Sequence, residues 1–205
     1  MEPSYWQQAK TELSAADAVL GRLINQYPDI SLETRGNAFH TLARSIMGQQ
    51  ISVKAAQSIW NRFIAALPEL SPEAVLAAEV EVLRSCGLSG KKVEYVKDLA
   101  LHFKDGRLQP ENWPSQPDED LIKELSAVKG IGRWTAEMFL IFNLLRPNVL
   151  PLDDIGLQRA MELHYNNREK LTKKQMQQIA APWQPWQSVA TWYLWRSLDP
   201  VIVAY

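Results

Sequence analysis

Apolar residues along this chain recur mostly at steps of three and four positions, which is the spacing of one face of an α-helix. The N-terminal segment illustrates the pattern, because its apolar residues include positions 13, 16, 19, 20 and 23. No segment has the strict apolar–polar alternation that is typical of a half-buried β-strand. The pattern therefore predicts an all-α fold with roughly ten helices.

Capping residues and glycines predict where these helices begin and end. Ser52 and Ser89 are expected to cap the helices that follow them, and residues 48–51 interrupt the chain before the first of these. For six of the helices both ends are predicted: 5–25, 36–48, 72–86 with a break near Glu79, 89–104, 155–165 and 172–181. For the others only the start is predicted, at residues 52, 118, 133 and near 185.

The composition of the 205 residues, with 46% hydrophobic and 22% charged residues, is that of a globular protein with a sizeable core. No apolar run approaches the ~20 residues of a membrane span, and the N-terminus lacks the features of a secretory signal. The single cysteine, Cys86, excludes an internal disulfide and a cysteine-ligated metal or iron–sulfur cluster. Three scattered histidines do not favour a His-based site either. We therefore expect a cytoplasmic protein without a metal.

Two glycines at 130 and 132 bracket one apolar residue, and the apolar run that follows opens with Arg133, Trp134 and Thr135. This spacing lets the backbone turn tightly between two helices and leaves amide groups uncovered. Uncovered amides at a helix N-terminus form a small anion site, and the usual biological anion is a phosphate. The alternative is a turn that binds nothing.

A pair of carboxylates, Asp153 and Asp154, follows about twenty residues after this turn. A carboxylate close to a phosphate site suggests an enzyme that holds a nucleic-acid backbone and does chemistry beside it. An acidic residue in front of a helix often only caps it, and this alternative stays open for both residues.

The pattern L-x-x-x-x-G-I-G-x-x-T-A over Leu125–Ala136 resembles the helix-hairpin-helix of the DNA-repair glycosylase superfamily. Ile46–Ala56 is similar to that family's I-x-x-Q-Q-[IL]-S-x-x-A-A segment, and Gly87–Tyr95 carries a further recurring motif. The tryptophan-rich segment Trp183–Arg196 resembles the closing part of alkylation-repair members. From about residue 17 to 195 the chain resembles the DNA-3-methyladenine glycosylase II family, in the compact form without an N-terminal β-domain.

This resemblance implies two helical lobes with DNA and the flipped base in the cleft between them. The central lobe would be residues 36–150, with the hairpin at 125–137, and residues 1–35 with 151–205 would form the second. The implied activity is excision of alkylated purines, of the 3-methyladenine and 7-methylguanine type, by hydrolysis of the N-glycosidic bond. The product would be an abasic site in base excision repair. Members that also cut the strand have a nucleophilic lysine where this chain has Trp134, so no lyase activity is expected.

The resemblance also assigns site residues. Asp154, the second aspartate, would be catalytic, because a fixed carboxylate stabilises the positive charge that builds on the sugar. Gln50 matches the residue that fills the vacated stack, although paired glutamines can also cap a helix break. The predicted DNA-binding residues are Gly130, Gly132, Arg133, Trp134, Thr135, Gln49, Gln50, Ser52 and Lys54. The predicted base pocket is formed by Trp195, Trp192, Met138 and Trp186.

The indole face of such a pocket attracts a positively charged alkylated base, although core packing is the alternative for each tryptophan. No cofactor is expected, but the family also allows a monovalent cation on the hairpin carbonyls. The predicted partner is duplex DNA with a damaged base, bound by a monomer, although the net charge of −1 does not itself favour nucleic acid. Two other functions stay open, namely a glycosylase for another damaged base and a DNA-binding module without catalysis.

Overall fold

The computed structural model describes residues 2–34 and 36–198, which contain twelve α-helices and no β-strand. The helices are, in chain order, α1 Trp6–Ala16, α2 Ala18–Gln26, α3 Ala38–Gly48, α4 Val53–Ala66, α5 Pro72–Ala77, α6 Val80–Ser85, α7 Gly90–Lys104, α8 Asp118–Ser126, α9 Arg133–Phe142, α10 Ile155–Tyr165, α11 Lys173–Ala180 and α12 Gln187–Leu198. Short 3-10 turns lie at Trp113–Ser115 and Ala181–Trp183. The prediction of an all-α fold is confirmed. None of the described helices is long and apolar enough to cross a membrane.

The N-terminal segment is divided at Asp17, so the prediction of a single helix there is wrong. Asp17 has an extended backbone, and its Oδ1 accepts the N–H groups of Val19 (2.8 Å) and Leu20 (3.1 Å), which caps α2. Its Oδ2 accepts the hydroxyl of Tyr165 and the Nε1–H of Trp183, each at 2.9 Å. Four donors thus bind one carboxylate. These capping and tertiary hydrogen bonds favour a break at Asp17, although the apolar stripe that continues through this position favours a single helix.

Most other boundaries follow the sequence signals. Ser52 and Ser89 accept the backbone N–H three residues further on, at 3.2 and 3.3 Å, and so cap α4 and α7 as predicted. The expected break near Glu79 is present, because this residue is extended and separates α5 from α6. These boundaries depend on residues close in sequence, which is why they could be predicted.

The described helices group into two compact units. The first joins the chain up to Thr34 with the chain from Leu140 onward, and the second is the part between them, ending at Phe139. The dividing point lies within α9, whereas the predicted central lobe continued to residue 150. The difference arises because Phe142, near the end of α9, packs against Trp192 and Trp195 of α12.

In the first unit, α12 packs against α1, α2 and α10. Trp6 of α1 and Tyr193 of α12 are fully buried, with ring centroids 5.9 Å apart. Ser188 of α12 accepts the N–H of Val149 through its Oγ at 2.9 Å. This bond fixes the chain shortly before the carboxylate pair.

In the second unit, a row of edge-to-face rings connects α3, α7 and α9. Phe39, Phe103, Trp113 and Phe139 follow one another with centroid distances of 5.4, 6.3 and 5.4 Å. Such pairs each contribute about 0.5–1.5 kcal/mol beyond the area they bury. The row anchors α9 and with it the turn that precedes this helix.

Candidate functional site

Asp154 lies at the start of α10 in the first unit and is the N-cap of that helix. Its Oδ1 accepts the backbone N–H of Leu157 at 2.6 Å and the Nε1–H of Trp195 at 2.8 Å. Two donors on one oxygen fix the plane of the carboxylate, which is only partly buried. The arrangement is a pre-oriented negative charge, as needed to stabilise positive charge on a bound molecule.

Trp195 is held from a second side by an aromatic ring. Phe142 of α9 stacks on it with a centroid distance of 5.6 Å and an interplanar angle of 12°. Phe142 in turn lies edge-on to Trp192 at 6.2 Å. Phe142 was not among the predicted site residues, because nothing in the sequence distinguishes it from the other apolar residues of α9.

Gly156 completes this site, and sequence reasoning missed it too. A Cβ there would lie 3.0 Å from Asp154 Oδ1 and 3.1 Å from Trp195 Cδ1. Only glycine therefore lets the indole approach the carboxylate without displacement. We call Asp154, Trp195, Phe142 and Gly156 the aspartate cluster.

The two neighbouring aspartates have different surroundings. The exposed carboxylate of Asp153 forms an ion pair with Lys173, whereas Asp154 caps the helix and bonds Trp195. Both the capping and the catalytic interpretation of Asp154 are compatible with this geometry, because its Oδ1 serves as the cap. Asp153 is the natural control for Asp154.

The other predicted pocket tryptophans differ from Trp195. Trp192 is buried beside the aspartate cluster, with the guanidinium of Arg196 at 4.6 Å from its ring centroid. Trp186 instead stacks on Tyr5 at 5.7 Å and donates its Nε1–H to Glu12 at 2.6 Å. Both partners of Trp186 belong to the N-terminal segment, so Trp186 is not part of the aspartate cluster, and its place in the base pocket stays a prediction.

The hairpin lies in the second unit, between α8 and α9. Gly130 has a φ of +82°, and a Cβ on it would lie 2.2 Å from the Tyr95 ring. Gly132 is exposed, and a Cβ there would meet nothing within 4 Å. The first glycine is thus required by the fold, and the second places no side chain at the start of α9, which is compatible with an anion site there.

The two cations of the hairpin are paired with carboxylates. Lys129 donates its Nζ to Glu94 at 2.5 Å. Arg133 binds both oxygens of Glu119, at 2.9 and 2.5 Å, and donates its Nε to Glu137 at 2.9 Å. The hydrogen bonds between Arg133 and Glu119 raise the pKa of the guanidinium and lower that of the carboxyl.

Arg133 therefore links α9 to α8 in this structure, and a phosphate would have to replace Glu119 to reach it. Trp134, at the position of the lyase lysine, is 41% exposed, whereas Thr135 is buried. Met138 follows on α9 in the second unit with intermediate exposure, and its place in the base pocket stays a prediction.

The paired glutamines behave differently from each other. Gln49 donates its Nε2 to the carbonyl of Gly130 at 2.7 Å, so its side chain holds the hairpin rather than capping α3. Gln50 is exposed and has a φ of +59°, which is uncommon for a residue other than glycine. Ser52 and Lys54 are exposed at the start of α4, next to this break. Their predicted contacts with DNA stay predictions.

Residues 43–185 match a family model described as HhH-GPD superfamily base excision DNA repair protein. This range contains the glutamine break, the hairpin and Asp154. The chain belongs to this superfamily. This match agrees with the helix-hairpin-helix resemblance that was predicted from the sequence.

Relatives within the HhH-GPD superfamily match nearly the whole chain. DNA-3-methyladenine glycosylase 1 of Schizosaccharomyces pombe is 31% identical over 198 residues, covering 93% of this chain and 86% of that relative. A crystal structure of a DNA-3-methyladenine glycosidase from Bacillus halodurans has a TM-score of 0.88 at 35% identity, covering 93% of this chain and 89% of that one. The S. pombe 3-methyladenine DNA glycosylase in complex with abasic DNA has a TM-score of 0.78 at 31% identity, covering 93% and 96%. The predicted resemblance is confirmed.

Proposed function

We propose that this protein is a monofunctional DNA glycosylase that flips alkylated purines out of duplex DNA and hydrolyses their N-glycosidic bond. Its substrates are bases of the 3-methyladenine and 7-methylguanine type, and its product is an abasic site in base excision repair. The observation that carries the proposal is the oriented carboxylate of Asp154 in a chain of this superfamily.

The chemistry that Asp154 supports follows from the charge of the substrate. An N3- or N7-alkylated purine is cationic, and when the bond between C1′ and the base nitrogen breaks, its electron pair leaves with the base, which becomes neutral. The positive charge passes to the sugar, where a fixed carboxylate stabilises it. Water then adds to C1′ and loses a proton, which the same carboxylate can help to remove.

The aromatic residues of the aspartate cluster suit a cationic base. One face of Trp195 is covered by Phe142, so a base can use only its other face, and the indole is half-buried rather than fully enclosed. A cation over an indole gains about 0.5–2 kcal/mol, depending on desolvation. This attraction helps to bind the charged base, and because the alkylated base is already a good leaving group, the pocket need add little acid catalysis.

The hairpin supplies DNA binding in this proposal. The amides of Gly130, Gly132 and Trp134 hold a phosphate, and Gln50 fills the space that the flipped nucleotide leaves. A monovalent cation on the hairpin carbonyls, a monomeric state and a cytoplasmic location remain predictions. Trp134 has no amine that could attack the sugar, so we expect no strand cleavage.

The deciding experiment uses duplex DNA with a single 7-methylguanine, and a second duplex with hypoxanthine or an oxidised purine. We expect strand breaks at the alkylated base only after treatment with an abasic-site endonuclease, which leaves intact 7-methylguanine uncut, and none when the protein is omitted. Breaks before the endonuclease is added would contradict the absence of lyase activity. Binding without any break would indicate a DNA-binding module without catalysis. Preferential cleavage of the second duplex would indicate a glycosylase for another damaged base.

Trp195→Phe is expected to slow single-turnover excision about tenfold or more, because Asp154 loses one charge-assisted hydrogen bond while an aromatic ring stays against Phe142. The preference among alkylated bases should change little, since the ring face is kept. Trp186→Phe removes the same N–H from a ring that bonds Glu12, and we expect a rate close to that of the unmodified protein. Equal losses in both variants would contradict the separate roles of these tryptophans.

A further inference from the structure

Lys92 of α7 makes two hydrogen bonds that the proposed function does not use. Its Nζ donates to the carbonyls of Met47 and Gln49, each at 2.8 Å. Both carbonyls lie at the C-terminal end of α3, where backbone acceptors lack helical partners. The ammonium is partly withdrawn from water, and this burial lowers the pKa of Lys92.

One of these carbonyls belongs to the peptide group that joins Gln49 to Gln50. Fixing that group limits the rotation of the backbone on both of its sides, and Gln50 follows it with a φ of +59°. A left-handed conformation costs a residue with a side chain about 1–2 kcal/mol. Because this conformation is unfavourable in itself, other contacts must stabilise it in the folded protein.

Gln49 is fixed at two points. Lys92 holds its backbone carbonyl, and its own side chain donates to the carbonyl of Gly130 in the hairpin. The side chain of Gln50, by contrast, is exposed. The residue before Gln50 is therefore held by two hydrogen bonds, whereas the side chain of Gln50 stays accessible.

The same helix also supports the hairpin. Tyr95, one turn after Lys92, packs against Gly130, and Asp98, a further turn on, accepts the N–H of Lys129 through Oδ2 at 2.8 Å. α7 thus holds both the glutamine break and the hairpin within the second unit.

We propose that Lys92 is a positioning residue that holds Gln50 in its exposed, left-handed conformation and thereby enables its insertion into duplex DNA. This inference rests on the proposed function, in which Gln50 fills the vacated stack. Lys92 touches neither the base nor the sugar in this role and acts only through Gln50. A simple capping role at the end of α3 would instead affect stability and activity regardless of the residue at position 50.

A double-mutant cycle separates these two roles. Single-turnover excision of 7-methylguanine from a duplex is measured for the unmodified protein, Lys92→Met, Gln50→Ala and the double variant. Lys92→Met keeps the aliphatic stem and removes the donors, so we expect a loss of about tenfold. In the Gln50→Ala background the same change should cost almost nothing. Insertion is followed separately, by the fluorescence of a 2-aminopurine placed beside an abasic site.

Two further variants are needed. Lys91→Met removes the same charge from the exposed neighbouring position of α7 and should leave excision and fluorescence unchanged. Lys92→Arg keeps a cationic donor and should restore part of the rate. Melting temperatures show how far each change affects the fold.

Equal losses from Lys92→Met in both backgrounds, or no loss in either, would overturn the inference while the glycosylase function stood. If the unmodified protein excised no base, the proposed function would fail instead. The fluorescence cycle would then test Lys92 alone, and a signal independent of Lys92 would overturn the inference.

Discussion

Asp154→Asn is expected to lower the single-turnover rate of base excision by about 100- to 1,000-fold, the loss typical when one electrostatic stabiliser of the transition state is removed. The asparagine has nearly the same shape, and its Oδ1 can still accept the N–H groups of Leu157 and Trp195. The helix cap and the position of the indole should therefore survive, and only the negative charge is lost. Duplex binding should remain, because the hairpin is unchanged.

Asp153→Asn provides the matched control. It makes the same chemical change at the adjacent position, where the carboxylate is exposed and pairs with Lys173. We expect an excision rate and a melting temperature close to those of the unmodified protein, since exposed ion pairs contribute little to stability. If Asp154→Asn kept the full rate, its catalytic assignment would be wrong, even though the glycosylase activity would stand.

The parts of this site that the sequence predicted are those encoded locally. The helix periods and the serine caps depend on neighbours within a few residues, so pattern and propensity are sufficient. The second aspartate was identified because it stands at a fixed position in a family motif. Even there, the sequence did not distinguish the surroundings of Asp153 from those of Asp154.

The parts that it did not predict depend on contacts between distant segments. Trp195 reaches Asp154 across 41 positions of sequence, and Gly156 matters only because that indole arrives beside it. The break at Asp17 depends likewise on donors from the far end of the chain. The spacing of the tryptophans likewise does not indicate that Trp195 contacts Asp154 whereas Trp186 contacts Glu12.

Charge pairing is the clearest case of this limit. Arg133 stands where a DNA-binding cation is expected, yet Glu119 is fourteen positions earlier and meets it only because α8 and α9 form a hairpin. The binding prediction from residue type alone therefore overestimates the free positive charge of the hairpin. Backbone amides, which carry no net charge, then become the main candidates for the phosphate contact.

Gly130→Ala is the second change for which we expect a large effect. A Cβ would lie 2.2 Å from the Tyr95 ring, and the φ of +82° is unfavourable for alanine by about 1–2 kcal/mol. The turn must shift, so we expect a melting temperature lower by about 5 °C or more together with a loss of duplex affinity. Thermal unfolding and titration of a fluorescent duplex measure the two effects.

Gly132→Ala separates the binding role of the hairpin from its folding. Its Cβ meets no protein atom within 4 Å, and its φ is not in the left-handed region, so stability should be kept or slightly raised. The added methyl group nevertheless occupies the open space at the start of α9, where a phosphate would approach the amides. We therefore expect weaker duplex binding at an unchanged melting temperature. Affinity equal to that of the unmodified protein would mean that these amides do not hold the phosphate, and DNA binding would have to be assigned to other surfaces such as Ser52 and Lys54.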